Sequence, residues 1–269
     1  MEPTLYKMTG AGNDFVVLDG RGADVSAYRQ ADRIRELCAA WCTDGLLILG
    51  PGDQVVDFSM DFFNPDGSGG MMCGNGGRCI VAFADFLGLV PLSGRCFFRA
   101  PDGYHQAIIL SREPDLWTVR LKMIDVEGVI PIGKDWFLNT GTRHLVRFVP
   151  DVEQVDIDRE GPALRHDPAF APAGTNVNFV QETPEGLRIR TFEKGVEGET
   201  LACGTGITAA AIAAWAAGIA PAEKPAEKGE SAGYRLQCRR GDWLTVDFRP
   251  APGGRFREVW LTGPAEFCV

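Results

Sequence analysis

Two hydrophobic patterns alternate along the chain. Runs of period-two alternation, VDFSMDFFN (56–64) and LRIRTFEK (187–194), are followed by segments apolar at almost every position, RCIVAFADFLG (78–88) and ITAAAIAAWAAG (207–218). Period two predicts half-buried strands. A segment that is apolar on nearly every helical face predicts a helix buried on all sides. The glycines that close these segments, Gly88 and Gly218, suit helix C-termini. Further short β-type runs surround them: LYKMT, FVVLD, GLLILG, CFFRA, QAIIL, WTVRLKMI, HLVRFV, VNFV, WLTVDF and EVWLTG. ADRIRELCAAW (31–41) reads as an amphipathic helix, with Cys38 and Cys42 expected to share a packing face. Many strands around one apolar helix, twice over, predict an α+β fold of two barrel-like domains. Each is a mainly antiparallel sheet wrapped around a buried helix.

The two halves are related by a repeat. Phe62, Cys73, Gly74, Gly76 and Gly88 match Phe192, Cys203, Gly204, Gly206 and Gly218 at one offset of 130 residues. A weaker echo relates GNDFVVLD (12–19) to TNVNFVQE (175–182). A period this long reads as two pseudo-symmetric copies of one domain, divided near SREPDLWT (111–118), at residues 1–115 and 116–257. PAEKPAEKGESAG (221–233) has the composition of a solvated loop.

Composition narrows the function classes. The 269 residues are 45% hydrophobic and 23% charged, as in ordinary globular proteins. The net charge of -9 argues against nucleic acid as a partner, while leaving local anion sites at helix N-termini open. No apolar run reaches membrane-spanning length, and MEPTLYKMTGAGNDF lacks the features of a secretion signal. A cytoplasmic protein with no membrane partner is expected, its eight cysteines mostly free thiols. There is no C-x-x-C pair and there are only three histidines, so no metal site is expected.

The chemistry lies in MMCGNGGRC (71–79) and LACGTGITA (201–209). A cysteine at a helix N-terminus stands among unpaired N–H groups at the positive end of the dipole, which favours thiolate. Glycines let a ligand approach the backbone closely. For either loop alone, a tight turn with a small buried cysteine explains the residues as well. Two such loops at matching positions favour a pair of opposed thiols. One thiolate would remove a proton from a carbon and the other thiol would return one to the opposite face. N–H donors at both helix starts would stabilise charge on the adjacent carboxylate. Such an inversion needs no cofactor.

MTGAGNDF (8–15), FFNPDGSGGMMCGNGGRC (62–79), GTNVNFV (174–180), FEKGVEGETLACGTG (192–206) and LTGPAEF (261–267) resemble the diaminopimelate epimerase family, in the family's order. The resemblance implies a cofactor-independent enzyme that interconverts LL- and meso-2,6-diaminopimelate for lysine and peptidoglycan synthesis. It implies acid/base roles for Cys73 and Cys203. It implies carboxylate binding by Gly74, Asn75, Gly204 and Thr205, and substrate contacts from Asn13, Asn64 and Asn176. Glu193 would bind substrate and support the thiol chemistry, and His144 would assist thiol deprotonation. It also implies that residues 258–269 return to the first domain, and that the enzyme forms a homodimer.

The chain departs from the family's pattern in places. The loop from Cys38 to Asp44 is shorter, Lys194 stands where arginine is common, Thr142-Arg143 replace Ser/Asn-Pro, and the chain ends at Val269 without an aromatic residue. Asn13, Asn64, Asn176 and Lys194 together favour a substrate with a second polar head. The competing readings are a histidine- or proline-type racemase on the same scaffold and, from another class, a thiol-redox or binding protein.

Overall fold

The structure, a computed structural model, describes residues 2–69, 73–222 and 231–268. Met71, Met72, most of the PAEK segment and Val269 lie outside the described residues. The chain forms two compact units: Met1–Leu121 with Thr262–Val269, and Lys122–Leu261.

The first unit runs β1 (Leu5–Thr9), β2 (Asp14–Asp19), α1 (Ala31–Trp41), β3 (Gly45–Pro51), β4 (Phe58–Phe63), α2 (Gly74–Phe86), β5 (Arg95–Ala100), β6 (Gly103–Glu113) and β7 (Leu116–Lys122). These strands pair in chain order. The end of the last strand of the chain, β16 (Arg255–Phe267), then pairs with β7 on one side and β1 on the other. The result is a closed eight-stranded barrel. Most pairs are antiparallel, but β2–β3 and β4–β5 are parallel, because α1 and α2 cross over between them.

The parallel pairs explain the densest apolar runs. Val16, Leu18, Leu46 and Ile48 on one face of β2 and β3 form a core with Ile34, Leu37 and Cys38 of α1. The intervening residues Phe15, Val17 and Leu47 are also fully buried, on the opposite face. A sheet covered on both faces has no polar positions to alternate with. The other cover is α2, which touches β1, β2, β3, β4 and β6.

The second unit repeats this plan with β8 (Val129–Ile132), β9 (Asp135–Asn139), β10 (Arg143–Phe148), α3 (Ile157–Arg165), β11 (Asn176–Thr183), β12 (Gly186–Glu193), β13 (Gly198–Thr200), α4 (Gly204–Ala216), β14 (Ala232–Gln237), β15 (Trp243–Ala251) and the first part of β16. β10 and β11 are parallel around α3, and β12 and β14 are parallel around α4. The helix α4 touches seven of these strands. Ile207 and Thr208 to Ala214 are all fully buried. Alanine is the best helix former and admits close neighbours, so this sequence suits a helix enclosed by strands.

Helices α2 and α4 end alike. Gly88 and Gly218 have φ of +73° and +78°. In each case the next amide, of Leu89 or Ile219, returns to the carbonyl of Ala84 or Ala214. These are Schellman caps, and a left-handed C′ residue is where glycine is favoured.

Three sequence readings need correction. Both buried helices begin four and three residues earlier than the apolar text, at Gly74 and Gly204, so each glycine loop is itself the first helical turn. Cys42 does not pack beside buried Cys38; it is exposed and caps α1 in a left-handed conformation. The echo between 12–19 and 175–182 does not mark equivalent strands. It compares β2, before the outer helix α1, with β11, after the outer helix α3. Among the described residues no helix is long and apolar enough to cross a membrane.

Candidate active site

In the first unit Cys73 is the N-cap of α2, in extended conformation and partly exposed. Gly74 and Asn75 open the helix, whose first-turn amides have no partner within the helix itself. Asn75 is buried and donates from Nδ2 to Asn13 Oδ1 at 2.6 Å. Asn13 lies in the turn between β1 and β2, where Thr9 Oγ1 and the Gly10 amide both donate to its carbonyl. Residue 10 must be glycine. A Cβ there would lie 2.6 Å from the Asn75 carbonyl oxygen and 2.9 Å from Cys79 Sγ. Asn64 is exposed just after β4, and its amide donates to Ser68 Oγ at 3.0 Å.

The second unit places Cys203 as the N-cap of α4, nearly buried at 8% exposure. Its Sγ lies 3.4 Å from Thr205 Oγ1. That hydroxyl is 3.0 Å from His144 Nε2, which is also 3.1 Å from Thr142 Oγ1. His144 itself is fully buried in β10.

The protonation pattern of His144 follows from its neighbours. Asn178 Nδ2 donates to the Leu145 carbonyl at 3.0 Å, which fixes the amide's orientation, since the reverse would set two oxygens face to face. Asn178 Oδ1 in turn accepts from Thr191 Oγ1. The other hydrogen of Asn178 Nδ2 points at His144 Nδ1, 3.1 Å away, so Nδ1 is an acceptor. The proton of the neutral ring therefore sits on Nε2, facing the two threonine hydroxyls. Burial pushes the imidazole down to about 3, so the ring is neutral at physiological pH.

Gly206 makes this packing fit: a Cβ there would stand 2.5 Å from Asn178 Oδ1. Asn176 braces the same strands. Its Nδ2 donates to Thr142 Oγ1 and to the Arg143 carbonyl, and its Oδ1 accepts from the Lys194 amide. Lys194 is exposed. Glu193, at the end of β12, accepts from Thr200 Oγ1 at 2.9 Å. Burial raises its carboxyl above the usual range, partly offset by that hydrogen bond.

The structure therefore gathers Asn13, Gly74 and Asn75 around Cys73, and Thr205 and His144 around Cys203, with Asn176 reaching the latter group through Thr142. Thr142, Asn178 and Arg78 are the polar participants that sequence reasoning did not single out as site residues. Asn178 lies in VNFV, where a lone polar residue inside a fully buried strand is the available signal.

The fold is shared with solved structures of other proteins. The hydroxyproline epimerase of Agrobacterium vitis aligns with a TM-score of 0.65 at 17% identity, over 99% of this chain and 91% of its own. A phenazine biosynthesis protein of the PhzF family from Bacillus anthracis aligns with a TM-score of 0.74 at 10% identity, over 100% and 98%. Sequence is more specific than fold: residues 5–106 and 136–238 match the family model described as diaminopimelate epimerase. The diaminopimelate epimerase of Flavobacterium psychrophilum is 40% identical, over 98% of this chain and 97% of its own. The chain belongs to the diaminopimelate epimerase family.

Proposed function

We propose that the protein epimerises LL-2,6-diaminopimelate to the meso form, without a cofactor, in lysine and peptidoglycan synthesis. The observation that carries this reading is the pair of cysteines capping α2 and α4, in a chain that belongs to this family. One thiolate takes the α-proton and the opposite thiol delivers a proton to the other face, so the stereocentre inverts. The α-proton is a weak acid, and amides of the two C-G-x-G turns lower the barrier by holding the substrate carboxylate. Thr205 Oγ1 receives the His144 N–H and is left to donate its own hydrogen to Cys203 Sγ, which favours the thiolate. His144 in this reading stays neutral and orients the hydroxyl. Glu193, already disfavoured as an anion, gains from a substrate ammonium beside it.

The test is turnover of LL-diaminopimelate in deuterated water, beside free proline, hydroxyproline and histidine. Deuterium at the inverted α-carbon of diaminopimelate is expected. Cys73→Ala and Cys203→Ala should each lose about 1,000-fold or more, the range associated with one positioned proton carrier. Turnover of another amino acid in its place, or full activity in both alanine variants, would remove the reading.

A further inference from the structure

Arg78, in the second turn of α2, is the largest of the fully buried side chains. Its Nη2 donates to the Gly10 carbonyl at 2.8 Å and to Asn75 Oδ1 at 2.9 Å. Nη1 donates to the Gly74 carbonyl and Nε to the Pro264 carbonyl, both at 3.3 Å. The guanidinium therefore touches the β1–β2 turn, the start of α2 and the returning end of β16.

A guanidinium can only donate. Asn75 must therefore turn its oxygen to Arg78, and its Nδ2 is thereby aimed at Asn13. Asn13 must in turn offer Oδ1 to that Nδ2, at 2.6 Å. The remaining group of Asn13 is its Nδ2, which no hydrogen bond to another described residue occupies. Reversing either amide would set a donor against a donor or an acceptor against an acceptor, at a cost comparable to an unsatisfied polar group. The charge on Arg78 is thus translated through two amides into the identity of the atom that Asn13 presents.

We propose that Arg78 is a positioning residue that fixes Asn13 as a hydrogen-bond donor, matched to a carboxylate oxygen of the ligand. This rests on the functional reading above, in which Asn13 touches the substrate. Lysine at position 78 keeps the charge but cannot grip Gly10 and Asn75 together with the other two carbonyls.

A double-mutant cycle tests the proposal, with KM and kcat read separately on diaminopimelate and folding checked by thermal melts. Arg78→Lys should raise KM about tenfold, the effect of one well-placed hydrogen bond to a charged group, with little change in kcat. Asn13→Ala should raise KM by a similar factor. The double variant should be no worse than the worse single, because Arg78 acts through Asn13. Multiplying losses, or a loss confined to kcat, would make Arg78 a structural bolt and overturn the proposal. Should Arg78→Lys fail to fold, Asn75→Asp decides. It still pairs with Arg78 but has no hydrogen for Asn13, so Asn13 must turn its Nδ2 inward and KM must rise; an unchanged KM overturns the proposal. Wild-type turnover with multiplying losses defeats this inference alone. A wild type without turnover defeats the functional reading, and the cycle is then read on the calorimetric Kd of meso-diaminopimelate, where absence of binding defeats both.

Discussion

The two cysteine loops share a backbone and differ in everything that furnishes it. Both cap a buried helix with an extended cysteine, and both helices end in the same glycine cap. In the first unit the support is cationic: Arg78 lies fully buried beneath the turn, and Cys73 is partly exposed. In the second unit it is neutral: Thr205 stands between a nearly buried Cys203 and an uncharged His144, with Thr142 on the same imidazole nitrogen and Thr140 donating to the Thr205 carbonyl. The duplicated element is thus the helix start, which supplies amides whatever the side chains are. The side chains beneath it diverged, and each set solves its own burial problem. A buried guanidinium spends its donors on carbonyls, whereas a buried imidazole gives up its charge.

Three measurements would break or sharpen that contrast. The largest effect is expected from acid. Burial holds His144 down at about 3 in the fold, below the ordinary imidazole value of about 6.5, so the unfolded chain is expected to bind the extra proton between these values. Stability from this group is complete above about 6.5 and falls as pH drops towards 3. The slope is about 1.4 kcal/mol per pH unit, on the order of 4–5 kcal/mol over the whole window. Denaturant titrations should show that slope in the wild type and its loss in His144→Gln; equal slopes would mean that His144 is protonated in the fold. Next is Thr205→Val, which removes the hydroxyl between His144 and Cys203. It should lower kcat 10- to 100-fold, about 1.4–2.7 kcal/mol, with Thr205→Ser close to wild type. A valine variant at full rate would detach the histidine from the thiol. The third measurement compares two glycines at matching positions. Gly206→Ala drives a Cβ to 2.5 Å from an amide oxygen held by Thr191, whereas Gly76→Ala meets the movable end of Leu47 at 3.1 Å. The first should cost about 1–3 kcal/mol by thermal melt and the second less than about 1. The reverse order would show that the tighter neutral network is the more yielding.

Much of this architecture is legible in the sequence because it depends on local pattern. LYKMT and ADRIRELCAAW coincide with β1 and α1 to the residue. The enclosed helices announce themselves by having no polar face. What escapes is set by tertiary context. Gly-Asn-Gly-Gly reads as a loop because glycine is a poor helix former, yet burial makes it a helical turn. The helix α3 hides because Gly161 and Pro162 interrupt IDREGPALR, although it packs Ile157 and Leu164 onto Val177 and Phe192. The polar support of the site is the least legible part. Nothing local distinguishes Arg78 from a surface arginine, and the tautomer of His144 depends on Asn178, 34 residues away along the chain.

The closing strand also governs the order of assembly. The second barrel uses Lys122–Leu261, a continuous stretch of chain, but the first lacks its eighth strand until Thr262–Phe267 are available. During synthesis the half that emerges first must therefore finish last. Until then β1 and β7 expose unpaired edges, and the Pro264 carbonyl that receives Arg78 is missing. A nascent chain stopped before Thr262 would contain all of the second unit and an open first barrel. That intermediate offers strand edges to its neighbours, so Thr262–Phe267 protect β1 and β7 from aggregation.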